Sequence, residues 1–405
     1  MVKRKSNIVV GSSELIKSIN KKNVLNTIKR SEMISRAEIS REVKLTMPTV
    51  MRISEELIQD GLVCEVGKGV STGGRKPNLL SIVPNGRYFL GTVIQKNIQS
   101  IVANMSGDIL SSYRRDIDYS GGEDKILAQL EQCMEEAVRM SGLTENDISY
   151  SGIGTPGMGF KYTEQASDDV FSYWATKRMD FFKEKGHFKW PTVVENVAKL
   201  GALGELEYGI GKNLDDYLYI FADYGIGMGR VKGGKLDVGN SGVAGELGHM
   251  SIDFNGRDCY CGNRGCLESY CSINALLKEY RREKMMNGSA EGAGYGLQTI
   301  EDAAGQGDPV AEEVLKRVGS WLGIGLANVV NIYNPGAIIL GGELERRFPL
   351  YVQSTSETMM KNIFMDKSRN IKVLAGTIEK PMEALGAVAL AIEAYFEKYC
   401  SDKTK

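Results

Sequence analysis

The stretch AGELGHMSIDFNGRDCYCGNRGCLE, residues 244–268, carries the densest chemical signal in the 405-residue chain. Three of the seven cysteines, Cys259, Cys261 and Cys266, fall within eight residues, and His249, one of only two histidines, lies ten residues before the first of them. One imidazole and three thiolates match the ligand set of a closed, tetrahedral Zn²⁺ site. The spacing therefore predicts a structural zinc ion that pins a loop with little core of its own. The alternative is three free thiols and an unrelated histidine.

Two carboxylates flank this stretch. Glu246 lies three residues before His249, and Glu268 lies two residues after Cys266. A zinc-folded loop would bring both glutamates near one pocket, where carboxylates, an imidazole and backbone amides suit the hydroxyls of a sugar. Either glutamate could instead be a surface residue or a helix cap.

The sequence on both sides of this stretch alternates between strand and helix patterns. We expect strands at 88–94, 98–105, 148–153, 192–195 and 216–223, and helices at 124–140 and around 318–331. A last strand should end at Gly341 and Gly342. This alternation predicts an α/β architecture. The glycine-rich turns at 154–157 and 225–229 could approach phosphates closely, although tight turns also need glycine for steric reasons.

The N-terminal residues show a different, helical pattern. Apolar spacing predicts one or two helices over 12–30, with a possible break at 20–23. Ser35 and Glu38 have the spacing of a capping box and should start the next helix. Thr46 can cap a third helix, Met47–Gln59, whose first turn tolerates Pro48. Two short helices joined by a tight turn predict a helix-turn-helix, with the second helix placed to enter the major groove of DNA.

A β-hairpin follows these helices and completes a winged helix-turn-helix. Its strands are expected at 62–66 and 79–83, with glycines and cations at the tip. Cations at a flexible tip suit contact with phosphates or the minor groove. A module that only mediates protein contacts is the alternative. The predicted DNA-contacting residues are Ser35, Arg36, Thr46, Pro48, Thr49, Arg52, Lys68, Arg75 and Lys76.

The net charge of −1 hides an uneven distribution. Residues 1–87 contain 16 Lys and Arg against 8 Asp and Glu, whereas the remaining residues contain 34 against 43. A basic N-terminal part on an acidic remainder favours double-stranded DNA as a partner, unless the cations only form a solvated surface. Hydrophobic residues at 42% and charged residues at 25% exclude a disordered or membrane-embedded chain. With no apolar run that could span a bilayer and no signal-peptide core, we expect a cytoplasmic protein without disulfides or membrane insertion.

These motifs together resemble the ROK proteins, a family of bacterial sugar-responsive repressors and sugar kinases. The resemblance runs through residues 73–77, 154–157, 195–196, 244–249, 259–268 and 334–342. It implies a winged helix-turn-helix followed by a two-lobed, actin-like or hexokinase-like (ribonuclease H-like) ATPase-type domain. It also implies zinc on His249, Cys259, Cys261 and Cys266. Family sugar contacts fall on Asn196, Glu246, His249 and Glu268, with Gly154 lining the cleft.

The resemblance also suggests domain boundaries. Residues 1–86 would form the DNA-binding domain and 87–405 the sugar-sensing domain. Within the latter, lobe one would comprise about 87–195 plus a C-terminal helix at about 383–400. Lobe two would comprise about 196–382.

Two departures from the family pattern bear on catalysis. Family kinases carry an aspartate, the general base, directly after the asparagine that corresponds to Asn196. This chain has Val197, which cannot accept a proton. The first phosphate-binding hairpin of the kinases also contains an acid and glycines, and residues 92–97 contain neither. We therefore predict that the chain is not an enzyme.

The sequence thus predicts a sugar-responsive DNA-binding regulator, a repressor of carbohydrate uptake or catabolism genes. It would act as a homodimer or homotetramer that a small sugar effector releases from its operator. Xylose, glucose and N-acetyl amino sugars all occur as family effectors. One alternative is a ROK-type ATP-dependent sugar kinase. Another is a repressor controlled by a protein partner, with residues 167–190, which contain four Phe and two Trp, lining either a pocket or an interface.

Overall fold

The computed structural model describes residues 13–69, 76–118, 120, 122–156, 188–288, 295–364, 371–377 and 379–402. Three β-sheets organise this part of the chain. We call the described residues up to 86 the head, the elements around the five-stranded sheet the first lobe, and those around the four-stranded sheet the second lobe. Among the described helices, none is long and apolar enough to cross a membrane.

The head begins with one continuous helix, α1 (Ser13–Arg30), without the break that the sequence allowed at 20–23. Both lysines in that stretch have tertiary partners. Lys21 is buried and its ammonium lies 3.1 Å from the Glu56 carboxylate. Lys22 pairs with Glu397 at 2.6 Å. These ion pairs compensate for the polar sequence and keep the helix intact.

The helix-turn-helix comprises α2 (Arg36–Glu42) and α3 (Met47–Gln59). The capping box that starts α2 is confirmed, because the Glu38 amide donates to Ser35 Oγ and the Ser35 amide donates to Glu38 Oε2. The prediction that the Thr46 side chain caps α3 is wrong. Thr46 occupies the N-cap position, but its hydroxyl lies 2.9 Å from the Thr49 hydroxyl instead of bonding a backbone amide.

The wing is a hairpin of β2 (Val63–Lys68) and β3 (Asn78–Ile82), as predicted. A short strand, β1 (Ile34–Ser35), pairs with β3 on its other side and was not expected from the sequence. This pairing ties the start of α2 to the wing. The tip, residues 70–75, lies outside the described residues, and the predicted DNA contact Arg75 lies there.

The first lobe is a mixed sheet in the order β6-β5-β4-β7-β8. Its strands are β4 (Tyr88–Ile94), β5 (Asn97–Asn104), β6 (Ile109–Asp116), β7 (Ile148–Thr155) and β8 (Thr192–Asn196). The helix α4 (Gly122–Ser141) packs on β5 and β6. Strands β4, β7 and β8 run parallel, so their carboxyl ends meet at one edge of the sheet. The helix α5 (Val197–Tyr208) starts at that edge.

The second lobe has the sheet order β10-β9-β11-β12. Its strands are β9 (Asp216–Ala222), β10 (Ile226–Lys232), β11 (Ala337–Gly341) and β12 (Lys372–Ala375). Its helices are α6 (Glu268–Cys271), α7 (Ile273–Met286), α8 (Leu297–Gly305), α9 (Pro309–Tyr333), α10 (Glu343–Arg347) and α11 (Pro349–Asn362). Helix α9 exceeds the predicted 318–331, because Asp308 caps it with a side-chain bond and Asn334, at φ 48°, ends it in the left-handed conformation.

The C-terminal helix α12 (Met382–Asp402) joins these parts. It packs on β4 and β7 of the first lobe, along α5, and against α1 of the head. Its crossing with α5 requires glycine, since a Cβ on Gly386 would lie 1.8 Å from the Leu200 carbonyl oxygen and one on Gly204 would lie 2.1 Å from that of Met382. The two helices therefore form a close-packed pair between the cleft and the head.

Candidate functional site

The carboxyl ends of β7 and β8 form one wall of the candidate sugar site. In the parallel register Gly154 lies beside Glu195, and Thr155 lies beside Asn196. A Cβ on Gly154 would approach Val93 Cγ1 to 2.7 Å. Close packing therefore explains why this position is glycine, and its predicted place at the cleft edge stays a prediction.

Asn196 links this edge to α5. Its side-chain oxygen accepts the Ala198 amide at 2.8 Å and so caps the helix. The capping bond fixes the side chain. Its NH₂ group can still donate hydrogen bonds to a ligand oxygen. The next residue, Val197, which the resemblance aligns with the kinase base, has an apolar side chain buried in the core.

Glu246 and Glu268, the two predicted carboxylate contacts, belong to the second lobe. Glu246 immediately precedes the 3₁₀ turn Leu247–His249, and burial raises its pKa. Glu268 is buried at the start of α6, where its Oε2 accepts the Ile226 amide at 2.9 Å. Burial raises the pKa of Glu268 to about 7. The charge of His249 opposes the effect of burial and lowers the pKa of both carboxyl groups.

The structure brings the four predicted metal ligands together. The nitrogen and sulfur ligand atoms of His249, Cys259, Cys261 and Cys266 all lie within 4.8 Å of one another. His249 Nδ1 is 3.7 Å from Cys259 Sγ, and Cys261 Sγ is 3.7 Å from Cys266 Sγ. A tetrahedron with metal–sulfur bonds of roughly 2.3 Å has edges of roughly 3.8 Å. The donor types and spacings therefore fit a tetrahedral metal ion.

The loop around the cluster has a local reason for its shape. Gly262 and Gly265 have φ values of 89° and 70°, which favour glycine. A Cβ on Gly265 would meet the Asp253 carbonyl oxygen at 1.7 Å. These turns bring Cys259, Cys261 and Cys266 back toward His249.

His249 was predicted both to bind metal and to contact sugar. Its Nδ1 faces Cys259 Sγ, and its Nε2 lies 3.3 Å from the Tyr260 hydroxyl. Both ring nitrogens therefore have partners within the protein. A sugar hydroxyl could reach Nε2 only by sharing or displacing Tyr260, a residue that the sequence prediction did not include.

Lys199 was also missed. It lies on the first turn of α5, is 1% exposed, and its ammonium is 3.4 Å from Glu195 Oε1. It donates a second, short hydrogen bond to the carbonyl oxygen of Gly242. The only sequence signal was the spacing of Glu195 and Lys199, four residues apart at a helix start, which usually marks a solvated ion pair.

In the head, the predicted DNA-contacting residues differ in their availability. Ser35 is buried and its hydroxyl belongs to the capping box. Arg36 pairs with Glu65 at 2.8 Å, and Arg52 pairs with Glu56 at 2.6 Å.

Pro48 is exposed in the first turn of α3, with Thr49 half-buried beside it. Lys76 is exposed near the wing tip and Lys68 ends β2. Their DNA contacts stay predictions.

The fold and the clustered residues define a chain in which a winged helix-turn-helix precedes a two-lobed domain that carries a Cys₃His cluster. The chain belongs to the ROK family, whose profile matches residues 95–394. It is 30% identical over 392 residues to the xylose repressor of Caldicellulosiruptor bescii, covering 95% of this chain and 98% of the relative.

Two solved structures are similar to this chain over different shares of its length. A ROK family transcriptional regulator, described as a homologue of the Escherichia coli MLC protein, superposes with a TM-score of 0.75 at 26% identity, covering 96% of this chain and 98% of that one. A ROK family glucokinase from Streptomyces griseus, in complex with glucose and AMPPNP, gives a TM-score of 0.62 at 27% identity. That match covers 75% of this chain and 99% of the kinase. The longer match is thus with the regulator.

Proposed function

We propose that this protein is a sugar-responsive transcriptional repressor of carbohydrate genes, acting in the cytoplasm. The observation that carries the proposal is that a winged helix-turn-helix is packed onto a kinase-like domain whose general-base position holds the buried Val197. Such a body can bind a sugar without transferring a phosphoryl group. The xylose repressor named above supports the same class of function.

The DNA-binding unit comprises residues 1–86. The recognition helix α3 enters the major groove with Thr46, Pro48, Thr49 and Arg52, while Arg36 and the wing residues Lys68, Arg75 and Lys76 approach the backbone. Ser35 supports them by starting α2. Because Arg52 pairs with Glu56, binding DNA exchanges that carboxylate for a base edge or a phosphate.

The sensing unit comprises residues 87–405. Lobe one spans about 87–195 plus the helix at 383–400, and lobe two spans about 196–382. A small sugar lies between them, in contact with Gly154, Asn196, Glu246, His249 and Glu268. Carboxylates and an amide form the directional hydrogen bonds that distinguish sugar hydroxyls.

The cluster of His249, Cys259, Cys261 and Cys266 holds a structural zinc ion. The ion supplies a rigid anchor for the loop between Glu246 and Glu268. His249, as one of the four ligands, would be held in the segment that joins Glu246 to Glu268. The protein's own contribution is to hold the two carboxylates at the cleft.

A second feature argues against phosphoryl transfer. A cavity of about 770 Å³ lies between the lobes, bounded by Gln95, Lys96 and Asn97 on one side and by Asp223 on the other. The Asp223 carboxylate accepts the amides of Tyr224 and Glu343, so it caps backbone groups. The three residues on the opposite side offer neither the acid nor the glycines that position metal-bound phosphates.

The repressor acts as a homodimer or homotetramer, because two heads at a fixed separation match two operator half-sites. Sugar binding closes the lobes and moves the helix pair α5 and α12, and with it the head. The separation of the two heads then no longer matches the separation of the operator half-sites.

The experiment that tests the function combines a sugar panel with DNA binding. A sugar bound only by the folded protein raises the thermal midpoint by mass action. We expect one neutral sugar among xylose, glucose and N-acetylglucosamine to do so, and the same sugar to release a DNA fragment from the protein's own promoter region. A silent panel combined with selective DNA binding would instead indicate control by a protein partner.

A further inference from the structure

Lys199 is the most deeply buried lysine in the described part of the chain. Lysine is almost never fully buried unless its charge is paired, because an ammonium loses strong hydration on leaving water. Its side chain is 2% exposed, whereas that of Glu195, its ionic partner, is 14% exposed. A cation buried in this way, next to the predicted sugar contact Asn196, calls for a role beyond surface solubility.

The partners of Lys199 come from both sides of the cleft. Glu195 lies at the carboxyl end of β8, in the first lobe. Gly242 lies in the loop that connects β10 to the 3₁₀ turn following Glu246. Gly242 precedes Glu246 by four residues in this loop, so the hydrogen bond from Lys199 holds the segment that carries Glu246. The ammonium therefore spans the cleft and fixes the loop that presents Glu246.

The Lys199 ammonium has more N–H donors than it has acceptors among the described residues. It has three N–H donors, and two acceptors, Glu195 and the Gly242 carbonyl, lie within reach among the described residues. Glu246 and Glu268, when ionised, only accept hydrogen bonds. A sugar hydroxyl bound between them needs a donor for its own oxygen, and Lys199 can supply one.

We propose that Lys199 is a further effector-binding residue that donates its third N–H to an oxygen of a neutral sugar while it holds the two sides of the cleft together. This role rests on the proposed sugar-sensing function. The effector is neutral, because the carboxylates of Glu195 and Glu246 already outnumber this one ammonium. A sugar acid would add a further negative charge beside Glu195, Glu246 and Glu268.

The test measures sugar affinity by calorimetry on the full-length, zinc-loaded protein. The variants are Lys199→Met, which keeps the length of the side chain, and Lys199→Arg, which keeps the charge. Lys284→Met is the matched control, since Lys284 pairs with Asp308 at 2.6 Å on the second lobe, apart from the cleft residues. We expect Lys199→Met to weaken binding of the effector by about 10-fold or more, Lys199→Arg by less, and Lys284→Met not at all.

Monodeoxy analogues of the effector separate a direct contact from a structural role. The analogue that lacks the oxygen bound by Lys199 should bind the wild type more weakly than the parent sugar, and Lys199→Met should bind the two about equally. Non-additivity of this kind identifies a pairwise interaction. Variants that bind the parent sugar as tightly as the wild type, or that still distinguish every deoxy analogue, would overturn the proposal.

The thermal midpoint of the wild type tests the proposal even if the Lys199→Met variant does not fold. Glucose should raise the thermal midpoint more than glucuronate at equal concentration, or xylose more than xylonate. Preference for the acid would overturn the role of Lys199 and leave the sugar-sensing function standing. A wild type that no sugar stabilises would contradict the sugar-sensing function, and the role of Lys199 with it.

Discussion

The hydroxyl of Tyr399, near the end of α12, donates a hydrogen bond to the carboxylate of Asp60, the residue that ends the recognition helix α3. The Lys21 ammonium lies 4.6 Å from the centre of the Tyr399 ring and also pairs with Glu56 of α3. Helix α12 packs along α5, and the N-cap of α5 is the predicted sugar contact Asn196. A continuous packed path therefore connects the candidate sugar site to the helix that would read DNA.

Tyr399→Phe tests whether this path carries the sugar response. The variant loses one hydrogen bond to a carboxylate, worth roughly 1.5 to 3 kcal/mol when buried and less at this half-buried position. We expect sugar affinity to stay unchanged, while the sugar-induced loss of DNA affinity shrinks. Calorimetry and fluorescence anisotropy on the same preparation measure both. Tyr333→Phe, on the second lobe, is the control, and equal sugar responses in both variants would exclude a role for the Tyr399 bond.

Arg52→Ala should weaken operator binding by about 1 to 3 kcal/mol if the arginine reads a base. The loss would be similar for all sequences if it contacts phosphate. Glu56→Gln should change DNA affinity in the opposite direction and strengthen binding, because it releases Arg52 from its ion pair. Anisotropy titrations with operator and scrambled duplexes at one salt concentration distinguish these cases. Arg139→Ala, an exposed arginine of α4, is expected to have no effect, and an Arg52→Ala variant with wild-type affinity would remove Arg52 from the interface.

Cys261→Ser should release the zinc ion, because three remaining ligands bind far more weakly than four in a closed site. Elemental analysis of the purified variant should show well under one zinc per chain, and its thermal midpoint should no longer respond to sugar. Cys64→Ser, in the wing, should keep both the metal and the response. Stoichiometric zinc in Cys261→Ser would contradict the assigned ligand set.

Val197→Asp should destabilise the protein without creating a kinase. Val197 is 3% exposed, and an unpaired carboxylate placed there costs roughly 2 to 4 kcal/mol of unfolding free energy. Chemical denaturation measures the loss, and Val197→Asn, which is uncharged, should lose less. Hexose-dependent ADP release by a stable Val197→Asp protein would show that the base alone had been missing.

Glu345 should make stability depend on pH between about 5 and 7. Burial and the nearby Glu205 raise its pKa to about 7, against the opposing effect of Arg346. The folded protein thus keeps this proton over a range in which the unfolded chain, with a pKa near 4.5, has lost it. Stability therefore falls as pH rises through this window. The urea midpoint should fall between pH 5.5 and pH 7.5, and it should fall further for the wild type than for Glu345→Gln. An equal fall in the two proteins would contradict a raised pKa of Glu345.

The parts of the fold that local sequence patterns specify were predictable. The Ser35–Glu38 capping box and the limits of α3 follow from residues three or four positions apart. The Cys₃His cluster follows from ligand types within eighteen residues. Each of these depends on neighbours along the chain.

The features that depend on distant residues were not predictable. Lys21 keeps α1 continuous because Glu56 and Tyr399 meet it there, and neither lies nearby in sequence. The pairing of β1 with β3, and the burial of Lys199 beneath Gly242, likewise depend on tertiary packing. Helical periodicity describes one element at a time and cannot indicate which element will cover it.

Release of the repressor by sugar is tested most directly by measuring operator affinity with and without the sugar that stabilises the protein. We expect selective binding to a duplex from the protein's own promoter region at physiological salt, weakened about 10-fold or more by saturating sugar. At a sugar concentration that half-saturates the wild type, the Lys199→Met variant should lose less operator affinity than the wild type. Operator affinity that stays the same within about 2-fold at saturating sugar, or binding that does not distinguish the operator from a scrambled duplex, would contradict a sugar-released repressor.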